Sequence, residues 1–555
     1  MDAPRQDTAP SVRVEQVFAQ LLAYLVESSP VAATQVGDHS RDAELDDWAP
    51  GEADRRLRRV DQLRQELDGI DVDECDDETG GDVLLLGDAL DGIRFELGLQ
   101  RAHERDPLFY LGLATQSVHE LVRRDDLPAA PRAAAAGARV AQVPRLLDQA
   151  RRNLIEVPQP HRELTLLRLP GATSLFGDVL PRFAPDAAEG ATAAVDACKS
   201  FGAWLEEREE PAPDWRLGGE LWADALRLAL GVRMPADELW KRAESQLSAG
   251  HDELVELARS VLGGDATGLG GHELIRAGVA VASADHSPRT SLVPDARAVL
   301  SDVKQFVRQS GQFELPEPDA LRVEEVPPFM QGAAVAYIVP APLLETAAAH
   351  TYYLSPIPES WDDVQAQSFL REYNAYALRS VGIHEAYPGH YVQLAAAQRH
   401  PRLLRRVLWN SAFAEGWACY VERQLVDGGF GEVMTANGDR MRLISAKMSL
   451  RSIANALLDQ GLHVRGWSDD DAMTLMVDQA YQEHAEAQAK LIRAKTTAGQ
   501  LSTYFVGGEE MNDLRRDVER KHGAAFDAAT FHADVLAQGT PPFPVLRRAL
   551  LGKAA

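Results

Sequence analysis

Long stretches rich in Ala, Leu, Arg, Glu and Asp, with apolar residues recurring at helical spacing, run through most of this chain and leave little room for any fold that is not mainly α. Segments 13–27, 81–105, 131–156, 191–209 and 220–231 each read as one amphipathic helix. Residues 234–262 read as a single long helix ended by Gly263 and Gly264. The acidic run 71–81 lacks the spacing and terminal glutamate of an EF-hand, so it reads as a solvated loop capping the next helix. Self-similarity at a fixed period, which would signal a solenoid, is not seen. A chain of 555 residues can bury a large core and form several domains. The expected division is a mostly helical region, 1–320, and a metal-binding catalytic region, 321–555, forming one continuous bilobed unit around a cleft.

The texture changes near residue 320. Residues 332–339 and 350–355 are short β-type runs separated by Pro340 and Pro342, and they predict a small hairpin or sheet. An exposed strand edge there would suit an extended peptide backbone, with Tyr352 and Tyr353 as candidate substrate-lining residues; packing against the helical core serves the same pattern equally well. Residues 361–380 and 403–426 read as further helices.

Between them stands Val381-Gly-Ile-His-Glu-Ala-Tyr-Pro-Gly-His390, followed downstream by Glu415-Gly-Trp-Ala. Two imidazoles, a carboxylate beside the first and another downstream are the side chains a zinc hydrolase uses: three ligands and a base. The spacing is unusual. In the common His-Glu-x-x-His helix the two histidines lie one turn apart, but here the fourth residue after His384 is Pro388. On a regular helix His390 would point about 120° away from His384 and about 9 Å along the axis. The two can share a metal only if Pro388 and Gly389 break the helix. Other His-Glu pairs, at His103, His119 and His272, have no second histidine close behind and read as solvated helix faces. Glu415 and Glu422 fall on one helical face; one could ligate a metal while the other orients a histidine from behind. Ala414, Gly416, Trp417 and Ala418 are poor company for a solvent-facing glutamate.

A net charge of −27 gives no basic face with which to displace counterions from nucleic acid. No segment approaches the roughly eighteen unbroken apolar residues of a membrane span, and the first residues lack a secretory profile. Three scattered cysteines supply neither a disulfide framework nor a thiolate zinc site. A cytoplasmic chain is expected, with no nucleic-acid or membrane partner; oligomeric state is not readable.

The motif His384–His390, with Phe413-Ala-Glu-Gly-Trp-Ala-Cys-Tyr-Val-Glu422, resembles the bacterial domain-of-unknown-function 885 family (DUF885), a mostly helical group regarded as gluzincin-like metallopeptidases. The resemblance continues through Asp459-Gln-Gly-Leu-His463, Gly466-Trp467, Gly499-Gln-Leu-Ser-Thr-Tyr504-Phe-Val-Gly507 and Phe531 to Pro541. It implies His384, His390 and Glu415 as ligands of one zinc ion, with Glu385 as general base. It also implies the channelled helical architecture of oligopeptidases and a preference for short peptides. Two departures stand out: Tyr391 and Ala498 occupy positions where the family often has His and Pro.

On this reading His463 and Tyr504 are candidate donors to the oxyanion, Gln500 a candidate for positioning substrate, and Glu422 a partner behind a ligand. By ligand type zinc suits best, with iron, cobalt or manganese also compatible. The implied function is zinc-dependent hydrolysis of short peptides. The rivals are hydrolysis of a small non-peptide amide or ester, and a catalytically silent helical binding protein.

Overall fold

Asparagine caps, glycines and wide helical turns cut the helical pattern into shorter rods than its periodicity suggests. The computed structural model describes residues 9–208, 213–326, 335–345 and 348–552. The stretch expected as one helix over 81–105 is Asp77–Phe95, a wide turn at Glu96–Gln100, and a short helix Ala102–Arg105 entered through Arg101 at φ 52°. The 131–156 stretch splits into Ala129–Val140 and Val143–Asn153, and 220–231 into Gly218–Asp224 and a wide turn. The helix expected over 191–209 runs Ala188–Glu206; Glu209 lies outside the described residues. The long helix is intact as Ala236–Leu262, ending where Gly263 turns to φ 54°. The acidic run caps as expected: the Asp76 side chain accepts from the Thr79 N–H at 2.7 Å.

The same devices shape the C-terminal half. Asn374 separates Asp363–Glu372 from Ala375–Glu385 by accepting from the N–H groups of Tyr376 and Ala377. Asn410, accepting from the Phe413 N–H at 2.9 Å, separates Leu403–Val407 from Ser411–Asp427.

Apolar side chains gather into three cores. One runs from Trp222 to Leu546, another from Val31 to Leu205. A third joins Val14, Leu63 and Leu86 near the N-terminus to Leu404, Leu408 and Val545. The first two cores divide near residue 210, and residues 236–310 pack with the C-terminal region. His103 is also not on a solvated face. It is buried and stacks on Trp48, with ring centroids 5.7 Å apart.

The β runs form a three-stranded sheet, β1 (Arg322–Glu325), β2 (Ala336–Val339) and β3 (Thr351–Leu354), in the order β1-β3-β2. β2 pairs antiparallel with β3, placing Ile338 opposite Tyr352; β1, absent from the sequence reading, joins β3 in parallel. Of the expected first run, 332–334 lie outside the described residues. The Ser355 N–H donates to the Val335 carbonyl at 2.8 Å. Alternation from that pair turns the backbone groups of Ala336 and Ile338 away from β3, toward the sheet's edge.

Candidate metal centre

The helix Ala375–Glu385 stops at Ala386, and a new helix, His390–Gln398, starts at His390. Inside the break the Gly389 N–H donates to the Ile383 carbonyl at 3.1 Å. A Cβ on Gly389 would lie 1.9 Å from the His384 oxygen and 2.4 Å from the Ile383 oxygen, so no larger residue fits. The break is clamped from both sides. The Trp417 indole N–H donates to the Pro388 carbonyl at 3.0 Å. The Tyr387 and Tyr391 hydroxyls donate to Asp319 at 2.7 and 2.8 Å, and Lys304 pairs with the same carboxylate. Instead of diverging, the His384 and His390 rings stand 4.7 Å apart, nearly perpendicular.

Glu415, Cys419 and Glu422 lie along one face of the helix Ser411–Asp427. Glu415 Oε2 sits 3.3 Å from His384 Nε2 and 3.6 Å from His390 Nε2. On the far side of the His384 ring, Nδ1 is 2.7 Å from Glu422 Oε1, so that in the neutral ring the proton sits on Nδ1 and the Nε2 lone pair is left for a cation. The helix Thr503–His522 crosses the Glu415 helix at a pair of glycines. A Cβ on Gly416 would meet the Gly507 backbone at 2.4 Å, and one on Gly507 would meet the Ala412 oxygen at 2.0 Å. That close approach sets Tyr504 within electrostatic reach of Glu415.

The electrostatics follow from burying this cluster. Burial pushes His384 toward the neutral form, but the neighbouring Cys419, Glu415 and Glu422 outweigh it and hold its pKa well above the usual range. Burial likewise works against the Glu415 carboxylate and is overcome by His384 and His390, which hold its pKa well below normal. Glu385 goes the other way: burial raises it, and the nearby histidines offset only part of that rise. Its Oε2 accepts the Ile338 N–H from the β2 edge at 3.1 Å. Tyr504 is raised first by the Glu415 charge and then by burial.

The donor set fits a divalent ion. Among the described residues Glu415 Oε2 is buried with no hydrogen-bond partner, at the point both Nε2 atoms face. Nitrogen and oxygen ligands at about 2.0–2.1 Å from a tetrahedral zinc stand roughly 3.3–3.4 Å apart, close to the 3.3 and 3.6 Å between these atoms. All three ligand atoms lie within 4.8 Å of one another. A second group, His384, Cys419 and Glu422, meets the same limit, but it shares His384 and uses the Nδ1 side that Glu422 already holds.

A cavity of about 190 Å³ opens beside the triad, lined by His384, Glu385, Tyr504, Cys419, Arg451 and Arg493 among others. A second of about 390 Å³ shares Cys419, Glu422 and Tyr504 with it, so the two adjoin along one cleft. Cys419 stands in the quoted motif but was given no role at the site, and Arg451 and Arg493 are absent from the sequence reading. Cys419 was open to discovery, four residues after Glu415 on the same helical face; the arginines come from distant helices and carry no local signal.

Four candidates do not reach the cavity. His463 is buried, its Nε2 donating to the Ala494 carbonyl at 2.8 Å and its ring edge-on to Trp215. Its motif neighbour Asp459 accepts from the Gly499 N–H at 3.0 Å and the Ser502 hydroxyl at 2.6 Å. This motif thus braces the loop leading into Tyr504 instead of supplying an oxyanion donor. Tyr353 lies on the opposite sheet face from Tyr352, against Tyr337 at 5.5 Å. Tyr352 faces the Glu385 side but is packed away at 2% exposure. Gln500 turns to Arg493, whose Nη2 donates to its Oε1 at 2.8 Å.

The comparisons agree with this fold. A family profile described as "Bacterial protein of unknown function (DUF885)" matches residues 30–550. A solved structure of a "putative lipoprotein of unknown function" from Shewanella oneidensis superposes with TM-score 0.81 at 25% identity, covering 98% of this chain and 100% of that one. Another, the "putative lipoprotein" from Colwellia psychrerythraea, superposes with TM-score 0.81 at 16% identity, covering 98% and 99%. No curated protein matches. Lipoproteins are held at membranes by a lipid, so these relatives overturn the expectation of a cytoplasmic chain. Among the described residues no single helix is long and apolar enough to cross a membrane.

Proposed function

Since the chain belongs to the DUF885 family of bacterial proteins of unknown function, we propose that it is a gluzincin-like metallopeptidase acting on short peptides through one zinc ion held by His384, His390 and Glu415. One observation carries this reading: the buried, partnerless Glu415 Oε2 facing two imidazole nitrogens at ligand spacing. Without a cation, burying that oxygen would cost free energy with nothing to offset it but the imidazoles. When bound, zinc supplies Lewis-acid polarisation of a carbonyl and lowers the pKa of a water.

The chain's own residues do the rest. Ile338 holds Glu385 Oε2, which leaves Oε1 to take a proton from the attacking water and deliver it to the leaving amine. The raised pKa of Glu385 favours holding that proton between the two transfers. Tyr504, kept protonated by the Glu415 charge, donates a hydrogen bond toward the developing oxyanion. Glu422 keeps the His384 ring in one tautomer. The free backbone groups of Ala336 on the β2 edge, which lines the cavity, suit an extended peptide. The cleft's narrow cavities favour short peptides over folded chains.

The test is Glu385→Gln in zinc-loaded protein, assayed on a panel of short peptides and small amides. Hydrolysis should fall by at least about 100-fold while zinc content and melting temperature hold. Full activity in this variant would remove Glu385 from the reaction; cleavage of the small amides alone would move the substrate away from peptides.

A further inference from the structure

The cavity beside the triad is cationic on the side away from β2. The helix His484–Thr496 presents Lys490 and Arg493 to it, and the helix Gly438–His463 presents Arg451 and Asn455. Arg451 is spoken for: it pairs with Glu372 at 3.3 Å and with Glu486. The other two have only neutral partners. Lys490 Nζ donates to Gln482 Oε1 at 2.8 Å. Arg493 donates through Nε and Nη2 to Gln500 Oε1, at 3.2 and 2.8 Å, and through Nη2 to the Tyr504 hydroxyl at 3.3 Å. Among the described residues no carboxylate lies within 4.0 Å of either cation, and Arg493 Nη1 makes no hydrogen bond. This occurs in a chain with 84 Asp and Glu against 57 Lys and Arg, where carboxylates are in excess.

A cavity-lining guanidinium with a free Nη1 can donate to a carboxylate there, and two parallel hydrogen bonds form if the carboxylate also takes the Nη2–H now given to Tyr504. Burial depresses the Lys490 ammonium, and an anion entering the cavity would favour its protonated form. The Tyr504 hydroxyl that touches Arg493 also feels the Glu415 charge. The cation therefore stands one side chain away from the triad.

We propose that Arg493, with Lys490 behind it, anchors a substrate carboxylate close to the scissile bond, so that the site selects peptides carrying either a free C-terminus or an acidic side chain within a residue or two of the bond cleaved. This rests on the metallopeptidase reading for its substrate and adds the group by which that substrate is chosen. A free C-terminus would make the enzyme an exopeptidase working from the carboxyl end.

The test uses zinc-loaded full-length protein and matched tetrapeptides: a free acid, its C-terminal amide, and amides with Glu or Gln beside the scissile bond. Wild type should cleave the free acid or the Glu amide at least about 10-fold faster than its neutral counterpart, and which pair separates identifies the carboxylate's source. Arg493→Gln should lower kcat/KM for the charged member roughly 10- to 100-fold more than for the neutral one. Equal cleavage of charged and neutral peptides by wild type would overturn the proposal while leaving the hydrolase reading intact. An equal loss on both in Arg493→Gln would also overturn it, because Arg493 would then only orient Tyr504. Calorimetric titration with N-acetylalanine and its amide reads the site without turnover. If nothing is cleaved but N-acetylalanine binds wild type and not Arg493→Gln, the carboxylate site stands and the peptidase reading falls. No difference between acid and amide binding in wild type would sink the carboxylate site.

Discussion

Replacing Gly389 by alanine probes the geometry on which the proposed metal site depends. The added methyl would sit 1.9 Å from the His384 carbonyl oxygen and 2.4 Å from that of Ile383. An ordinary carbon–oxygen contact is about 3.3 Å, so the break must open by more than about 1 Å somewhere between the two histidines. Metal–ligand distances tolerate only about 0.2 Å. His390, the residue directly after the substitution, therefore leaves the ligand position or the ion is held by two ligands. Overpacking of this kind costs about 1–3 kcal/mol of fold stability. Loss of a direct ligand should weaken zinc binding by more than the roughly 10- to 100-fold that follows loss of a partner behind a ligand. Competition with a chromogenic chelator measures the affinity, and thermal unfolding of metal-free protein measures the fold. Gly112→Ala is the control, since a Cβ there meets nothing within 4 Å and lies inside a helix; it should gain up to about 1 kcal/mol and bind zinc normally. Wild-type zinc affinity in Gly389→Ala would refute the argument that this glycine permits the two imidazoles to meet.

Other outcomes follow from the same geometry. Glu422→Ala leaves the His384 Nδ1–H without its 2.7 Å partner and should weaken zinc binding about 10- to 100-fold, with Glu422→Gln falling between it and wild type, read by the same chelator competition. Asp88 lines a separate cavity of about 650 Å³, where burial, opposed mainly by Arg233, raises its carboxyl to about 6. Its folded pKa exceeds the unfolded value near 3.9, so its contribution to stability is present in full below pH about 4 and is lost as pH rises through about 6. Asp88→Asn should accordingly gain about 1–3 kcal/mol at pH 7.5 and nothing at pH 4, as urea unfolding at the two pH values would show.

Much of the site was legible because its chemistry is local in sequence. His384, Glu385 and His390 announce themselves by residue type, and Pro388-Gly389 announces the break that brings them together. Glu415 and Glu422 were singled out by their apolar neighbours and helical spacing, which left open which of them faces the triad; the 3.3 and 2.7 Å distances assign Glu415 to the front and Glu422 behind. Helix boundaries were less legible, since periodicity continues across Asn374 and Asn410 and only their capping bonds reveal the stops. His463 shows the limit of reading a role from a motif: the same pattern that suggested an oxyanion donor encodes a brace between two helices. Arg493 lay beyond sequence reasoning altogether, because its significance lies in what it does not touch, and that depends on how three separate segments pack around one cavity.

The account turns on whether His384, His390 and Glu415 hold an ion. Elemental analysis of purified protein after incubation with zinc and removal of excess, run beside Glu415→Ala, tests this most directly. The account predicts about one equivalent of zinc per chain in wild type and little in the variant. Less than about one-tenth of an equivalent in wild type, or the same content in both proteins, would contradict it.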